Sequence, residues 1–128
     1  MFVRFVGSSR HEDSHCLTGI FYTAWRLRVR GLLSADEQAW CDGILDWFNR
    51  HLPFPDRFAR SKRRNACGKA VCWFKDGAAR HIGKVRELAA LLGRHGVRVE
   101  MLWTDRPGYV VYEDRYQVAA VPFRDTRA

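Results

Sequence analysis

A chain of 128 residues with 47% hydrophobic and 28% charged side chains has the composition of one ordinary globular domain. That balance excludes a wholly disordered chain, and no apolar run approaches the ~20 residues that span a bilayer. The net charge of +8 and the pI of about 9.9 favour polyanionic or acidic partners.

"MFVRFV" reads as a first strand. Val3 and Phe5 fall on one face, with Phe2, Arg4 and Val6 on the other, and the charge of Arg4 places it near an end or edge. Arg4 also splits the apolar run and acids follow at once, so no signal peptide is read and a cytoplasmic location is expected. "GSSRHEDS" is a polar loop. From about His15 to Arg30 the apolar residues Leu17, Ile20, Phe21, Ala24 and Leu27 recur at helical steps, and Gly31 is a stop. Ser34 and Glu37 form a capping box at the start of a second helix. Its apolar face is Trp40, Gly43, Ile44, Trp47 and Phe48; Asp36, Asp42 and Asp46 lie outside, and Pro53 and Pro55 end it.

Residues 56 to 69 lack periodicity and read as a basic loop. "KAVCWF" is apolar on both alternations and predicts a buried central strand, with Cys72 buried and inert. "DGAARHIGKVRELAALLGRHG" predicts a third helix with Ile82, Val85, Leu88, Ala89 and Leu92 inward and Gly96 at its C-terminal cap. "VRVEMLW" alternates, with Val97, Val99, Met101 and Trp103 inward. "TDRPG" is a turn, and "YVVYEDRYQVAAVPF" is a hairpin bent at Asp114-Arg115. The last residues are expected to fray. The order β-α-α-β-α-β-β-β predicts an α/β (α+β) domain over residues 1–128. Its sheet is mixed and five-stranded, with a parallel crossover in the middle and helices mainly on one face.

"MFVRFV", "LDWFNRHLPFP", "AVCWFK" and "RPGYVVYEDRYQVAAVPF" resemble a family of small uncharacterised bacterial proteins over most of the chain. The resemblance implies a bacterial source and no particular activity.

Charge is concentrated. Between residues 56 and 75 stand seven bases and one acid, a balance of +6, whereas residues 34 to 55 carry −3. Arg57, Arg60, Lys62, Arg63, Arg64 and Lys69 are the candidate nucleic-acid contacts. A nucleoprotein complex would offer the same polyanion. The alternative is a protein-interaction or regulatory module that uses the acidic second helix and the basic loop. A further candidate is an anion site at the strand ends, made by Lys75, Gly77, Arg80, Lys84 and Arg106 beside the amides of the third helix.

Other motifs are weaker. "NACGKAV" has Arg63 where a phosphate loop needs glycine, Ala70 where it needs Ser or Thr, and it precedes a strand rather than following one. Cys67 and Cys72, like His11, His15 and Cys16, lack a spacing that converges four metal ligands. Glu113, Asp114 and Asp105 sit in turns, where aspartate serves the backbone. No cofactor, metal or catalytic residue is therefore expected, and the chain reads as a binding protein rather than an enzyme. Cys67, between basic neighbours, is expected to be the reactive thiol.

Overall fold

The computed structural model describes residues 1–10, 15–54 and 69–128. Among these residues the strands are β1 (Phe2–Arg10), β2 (Leu17–Gly19), β3 (Val71–Lys75), β4 (Glu100–Thr104), β5 (Tyr109–Glu113) and β6 (Gln117–Val121). The helices are α1 (Ile20–Val29), α2 (Ala35–His51) and α3 (Ala79–Gly93). The fold is α+β, in the expected order, with the short β2 as an addition. Leu17 belongs to that strand, so α1 starts at Ile20 and not near His15.

The sheet has six strands, and every pairing is antiparallel. The expected five-stranded mixed sheet is corrected on both counts. The reason lies in β1. Phe2 and Val3 pair with Thr104 and Trp103 of β4 on one edge, and with Lys75 and Phe74 of β3 on the other. Strands β3 and β4 do run the same way, joined through α3, but β1 lies between them and opposes both. β6 and then β5 continue the sheet beyond β3. At Val6 the edge facing β3 passes to β2, which pairs through Gly19 and, past an irregular register, through Leu17. β1 therefore splays from β3 after its first two pairs, leaving a fork.

All three helices pack on one face, as expected. Val3, Phe5 and Phe74 project there and meet Ile20, Ala24 and Leu27 of α1, Ile44, Trp47 and Phe48 of α2, and Val85, Leu88, Leu91 and Leu92 of α3. The Ser34–Glu37 capping box is formed: Glu37 N–H donates to Ser34 Oγ at 3.2 Å, and Ser34 N–H to Glu37 Oε1 at 3.0 Å. Gly96 takes φ 72°, the left-handed cap its position asks for.

The opposite face buries Val6, Leu17, Val71, Trp73, Leu102 and Val118 against Ala128. The last residues are thus docked and not frayed. Leu17 N–H donates to the Ala128 carbonyl at 2.9 Å, and Arg127 forks onto Glu100 at 2.8 and 2.9 Å. Two further expectations are corrected here. Trp103 is 50% exposed, because it sits at the far end of β4, an edge strand. Arg4 lies in the middle of an interior strand, 8% exposed, and not at an edge.

Candidate functional site

Where α2 ends, α3 begins and the β5–β6 hairpin turns, the surface opens into a cavity of about 710 Å³. Its floor is aromatic. The His51 ring stacks on Trp47 at 4.4 Å, and His81 lies 4.3 Å from Tyr116. The histidines are held by backbone carbonyls: His51 Nδ1–H donates to Trp47 O and His81 Nε2–H to His51 O, both at 2.8 Å.

Its rim carries Arg50, Arg80 and Arg115, and among the described residues no acidic side chain lines it. Arg80 lies over Trp47 at 5.6 Å and Arg115 over Tyr116 at 5.7 Å. Arg50 donates to the Asp46 carbonyl at 3.4 Å. None of the three pairs with a carboxylate among the described residues. Gly77, Ala78 and Ala79 bring in the N-terminus of α3, which has no acid in its first turn and no side-chain cap. Ala78 N–H and Ala79 N–H donate to the Lys75 and Gly77 carbonyls at 3.0 and 2.9 Å, so the attraction for an anion comes from the three guanidinium groups and the positive end of the helix dipole.

Leu52 and Pro53 also line this cavity, and the basic segment leaves from there. Phe54, the last described residue before it, is 83% exposed. The chain returns at Lys69, which lines a second cavity of about 440 Å³ with Arg10, Arg124 and Arg127; among the described residues no acidic side chain lines it. The described residues on either side of the basic segment, Pro53 and Lys69, thus each line a cation-lined recess.

Of the predicted nucleic-acid contacts, Lys69 is placed at the second recess. Arg57, Arg60, Lys62, Arg63 and Arg64 lie outside the described residues, as does Cys67. The predicted anion set is divided. Gly77 and Arg80 line the first cavity. Lys75 is tied to Glu113 at 2.6 Å and Lys84 to Glu87 at 3.3 Å. Lys84 lies over Trp47 at 5.9 Å. Arg106 sits at the β4–β5 turn, 5.1 Å over Phe123. Sequence reasoning missed Arg50, His51, His81, Arg115 and Tyr116. The only local signal was the Arg-Tyr pair at the hairpin bend and the Arg-His pair ending α2.

Cys72 departs from expectation. It is exposed where β1 leaves β3, not buried. Desolvation pushes its thiol up to about 11, and Arg4 only partly opposes this. Cys16 and Cys41 are buried. Among the described residues no group of histidines, cysteines and acids is placed to hold a metal, and no helix is long and apolar enough to cross a membrane. No family model, curated protein or solved structure matches the chain.

Proposed function

We propose that the protein binds the phosphate backbone of nucleic acid, alone or within a nucleoprotein complex, without catalysing a reaction. One observation carries the reading: residues 56–69, six bases against one acid, are flanked by two cation-lined cavities, one at Leu52 and Pro53 and the other at Lys69, with no acidic side chain lining either among the described residues. Phosphates would bind Arg57, Arg60, Lys62, Arg63, Arg64 and Lys69 along the segment, with Arg50, Arg80 and Arg115 at its start. Arginine suits this task because its planar fork meets phosphate oxygens in pairs. Phe54 and Tyr116 offer faces on which an unpaired base can stack. Sequence preference is absent from this reading, since phosphate contacts position and do not specify.

Filter binding of a labelled oligonucleotide at low salt tests it. The wild-type chain is expected to retain the probe, and replacing Arg50, Arg80 and Arg115 together by Gln to weaken retention about tenfold or more. Retention by neither, or equal retention by both, would refute the reading.

A second reading is supported by a different surface. Tyr22, Trp25 and Val29 form an exposed stripe along α1, with the first two rings 5.8 Å apart. Such a stripe suits a protein partner. Light scattering during size exclusion, with and without added nucleic acid, separates the two readings. A strict monomer that captures nucleic acid leaves the stripe without a role in self-association.

A further inference from the structure

Among the described residues two buried donors, Arg4 Nη1 and Trp73 Nε1, have no hydrogen-bond partner. Both residues line one cavity, the fork where β1 separates from β3. Arg4 is 8% exposed and Trp73 1%. Arg4 donates through its other terminal nitrogen to the Leu17 carbonyl at 2.6 Å. No carboxylate pairs with it among the described residues. Burial works against its charge, and among the described residues only the titratable thiols of Cys16 and Cys72 favour it. A guanidinium does not discard its proton to escape this. A buried cation without a counter-charge is a costly arrangement, and it points to an anion supplied from outside the described residues.

The shape of the fork narrows the class of anion. Its volume is about 230 Å³, below the roughly 300–1,000 Å³ of drug-sized sites. Apart from Arg4 and Trp73 the walls are mainly apolar, including Phe5, Phe21, Val71 and Phe74. Gln117 also lines it, but its amide nitrogen already donates to Pro53 O at 2.6 Å and Asp114 Oδ2 at 3.0 Å. One cation with two free donors matches a monoanion with two oxygens. A phosphate dianion would bring more charge and more lone pairs than the fork can satisfy.

We propose that the fork binds a small monocarboxylate with a short apolar body, its carboxylate accepting from Arg4 Nη1 and Trp73 Nε1. The body lies against Phe5, Phe21 and Phe74. The site is separate from the cation-lined recesses, and it stands or falls without the nucleic-acid reading.

Cys72 reports on occupancy, because it is exposed in the same fork. The full chain is treated with a thiol reagent in the presence of hexanoate, 1-hexanol or neither, and labelling is followed at the Cys72 peptide by mass spectrometry. Hexanoate is expected to slow Cys72 labelling severalfold in a saturable way and to raise Tm, and 1-hexanol to do neither. Trp73→Phe keeps the ring and removes one donor, so it should weaken hexanoate about tenfold. Arg4→Met should abolish the effect. Equal protection by hexanoate and hexanol, protection by neither, or full hexanoate binding in Arg4→Met overturns the proposal. The wild-type comparison decides the matter even if Arg4→Met does not fold.

Discussion

Glu37 shows how one side chain joins two levels of the structure. Its carboxylate completes the capping box of α2 and reaches across to α3's end, accepting from His95 Nε2 at 2.9 Å. The hydrogen bond from the Ser34 amide, more than any other cause, holds its pKa below the ordinary 4.5, with His95 adding to it and burial opposing. The unfolded chain therefore takes up this proton first as pH falls. The stabilisation is fully present above pH 4.5 and is lost as pH drops through the lower folded value. Glu37→Gln should lower Tm near neutrality, converge on the wild type at low pH, and so flatten the acid limb of a plot of Tm against pH. A limb unchanged in the variant would mean that other carboxylates set it. Cys72 gives a second test at this scale. With the thiol at about 11 instead of 9.0, the thiolate is about a hundredfold scarcer at neutral pH. The remaining thiolate is more nucleophilic, so alkylation of native Cys72 should be about tenfold slower than that of an unperturbed thiol. Labelling at the ordinary rate would show that desolvation does not govern the site.

At the level of elements, the β5–β6 hairpin depends on one acid. Asp114 accepts from Tyr112 Oη at 2.8 Å, Tyr116 N at 2.7 Å, Gln117 N at 3.0 Å and Gln117 Nε2 at 3.0 Å. Burial raises its pKa, but these bonds outweigh burial and leave it lowered. Asp114→Ala strands two amides at the bend and should cost about 1–3 kcal/mol in urea unfolding. A loss below a few tenths would show that water replaces the carboxylate. Gly108 precedes this hairpin with φ 130°, and a Cβ there would lie 2.1 Å from the Val121 carbonyl oxygen. Gly108→Ala should therefore be the more damaging change, on the order of 3 kcal/mol. What was legible in the sequence follows the range of the forces. The Ser34–Glu37 cap, the Asp114 bend and most of the inward face of α3 are set by neighbours within four residues and were read correctly, although the buried His81 and Leu91 were not among the residues read as inward. β2 was not read, because Leu17 falls in phase with the helical apolar pattern of Ile20, Ala24 and Leu27. The antiparallel pairing was missed because it needs β1 to enter between β3 and β4, which no local pattern encodes. Arg4 was read as an edge residue because a lone charge in a strand carries no mark of the fork beside it.

Across the whole molecule the candidate site is legible only in part for the same reason. The basic segment announces itself as a run of charge. The recesses at its two ends do not, since Arg50, Arg80 and Arg115 come from α2, α3 and the hairpin and meet only once the sheet is formed. The chain's net charge of +8 is thus unevenly arranged: acidic groups such as Glu37, Glu87, Glu100 and Glu113 pair with cations elsewhere, and the arginines of the first cavity pair with no carboxylate among the described residues. An electrostatic surface of this kind has a signature that packing cannot imitate, because each neutralised phosphate releases counterions. The decisive measurement is the affinity for duplex DNA as a function of salt, for the wild-type chain and for one with Arg57, Arg60, Lys62, Arg63, Arg64 and Lys69 replaced by Ser. Log affinity against log salt should have a slope of about −8 for the wild type, with nine phosphate contacts, and about −3 for the variant, which keeps Arg50, Arg80 and Arg115. A shared slope in the two chains, or no binding by the wild type at low salt, would contradict a role in holding nucleic acid.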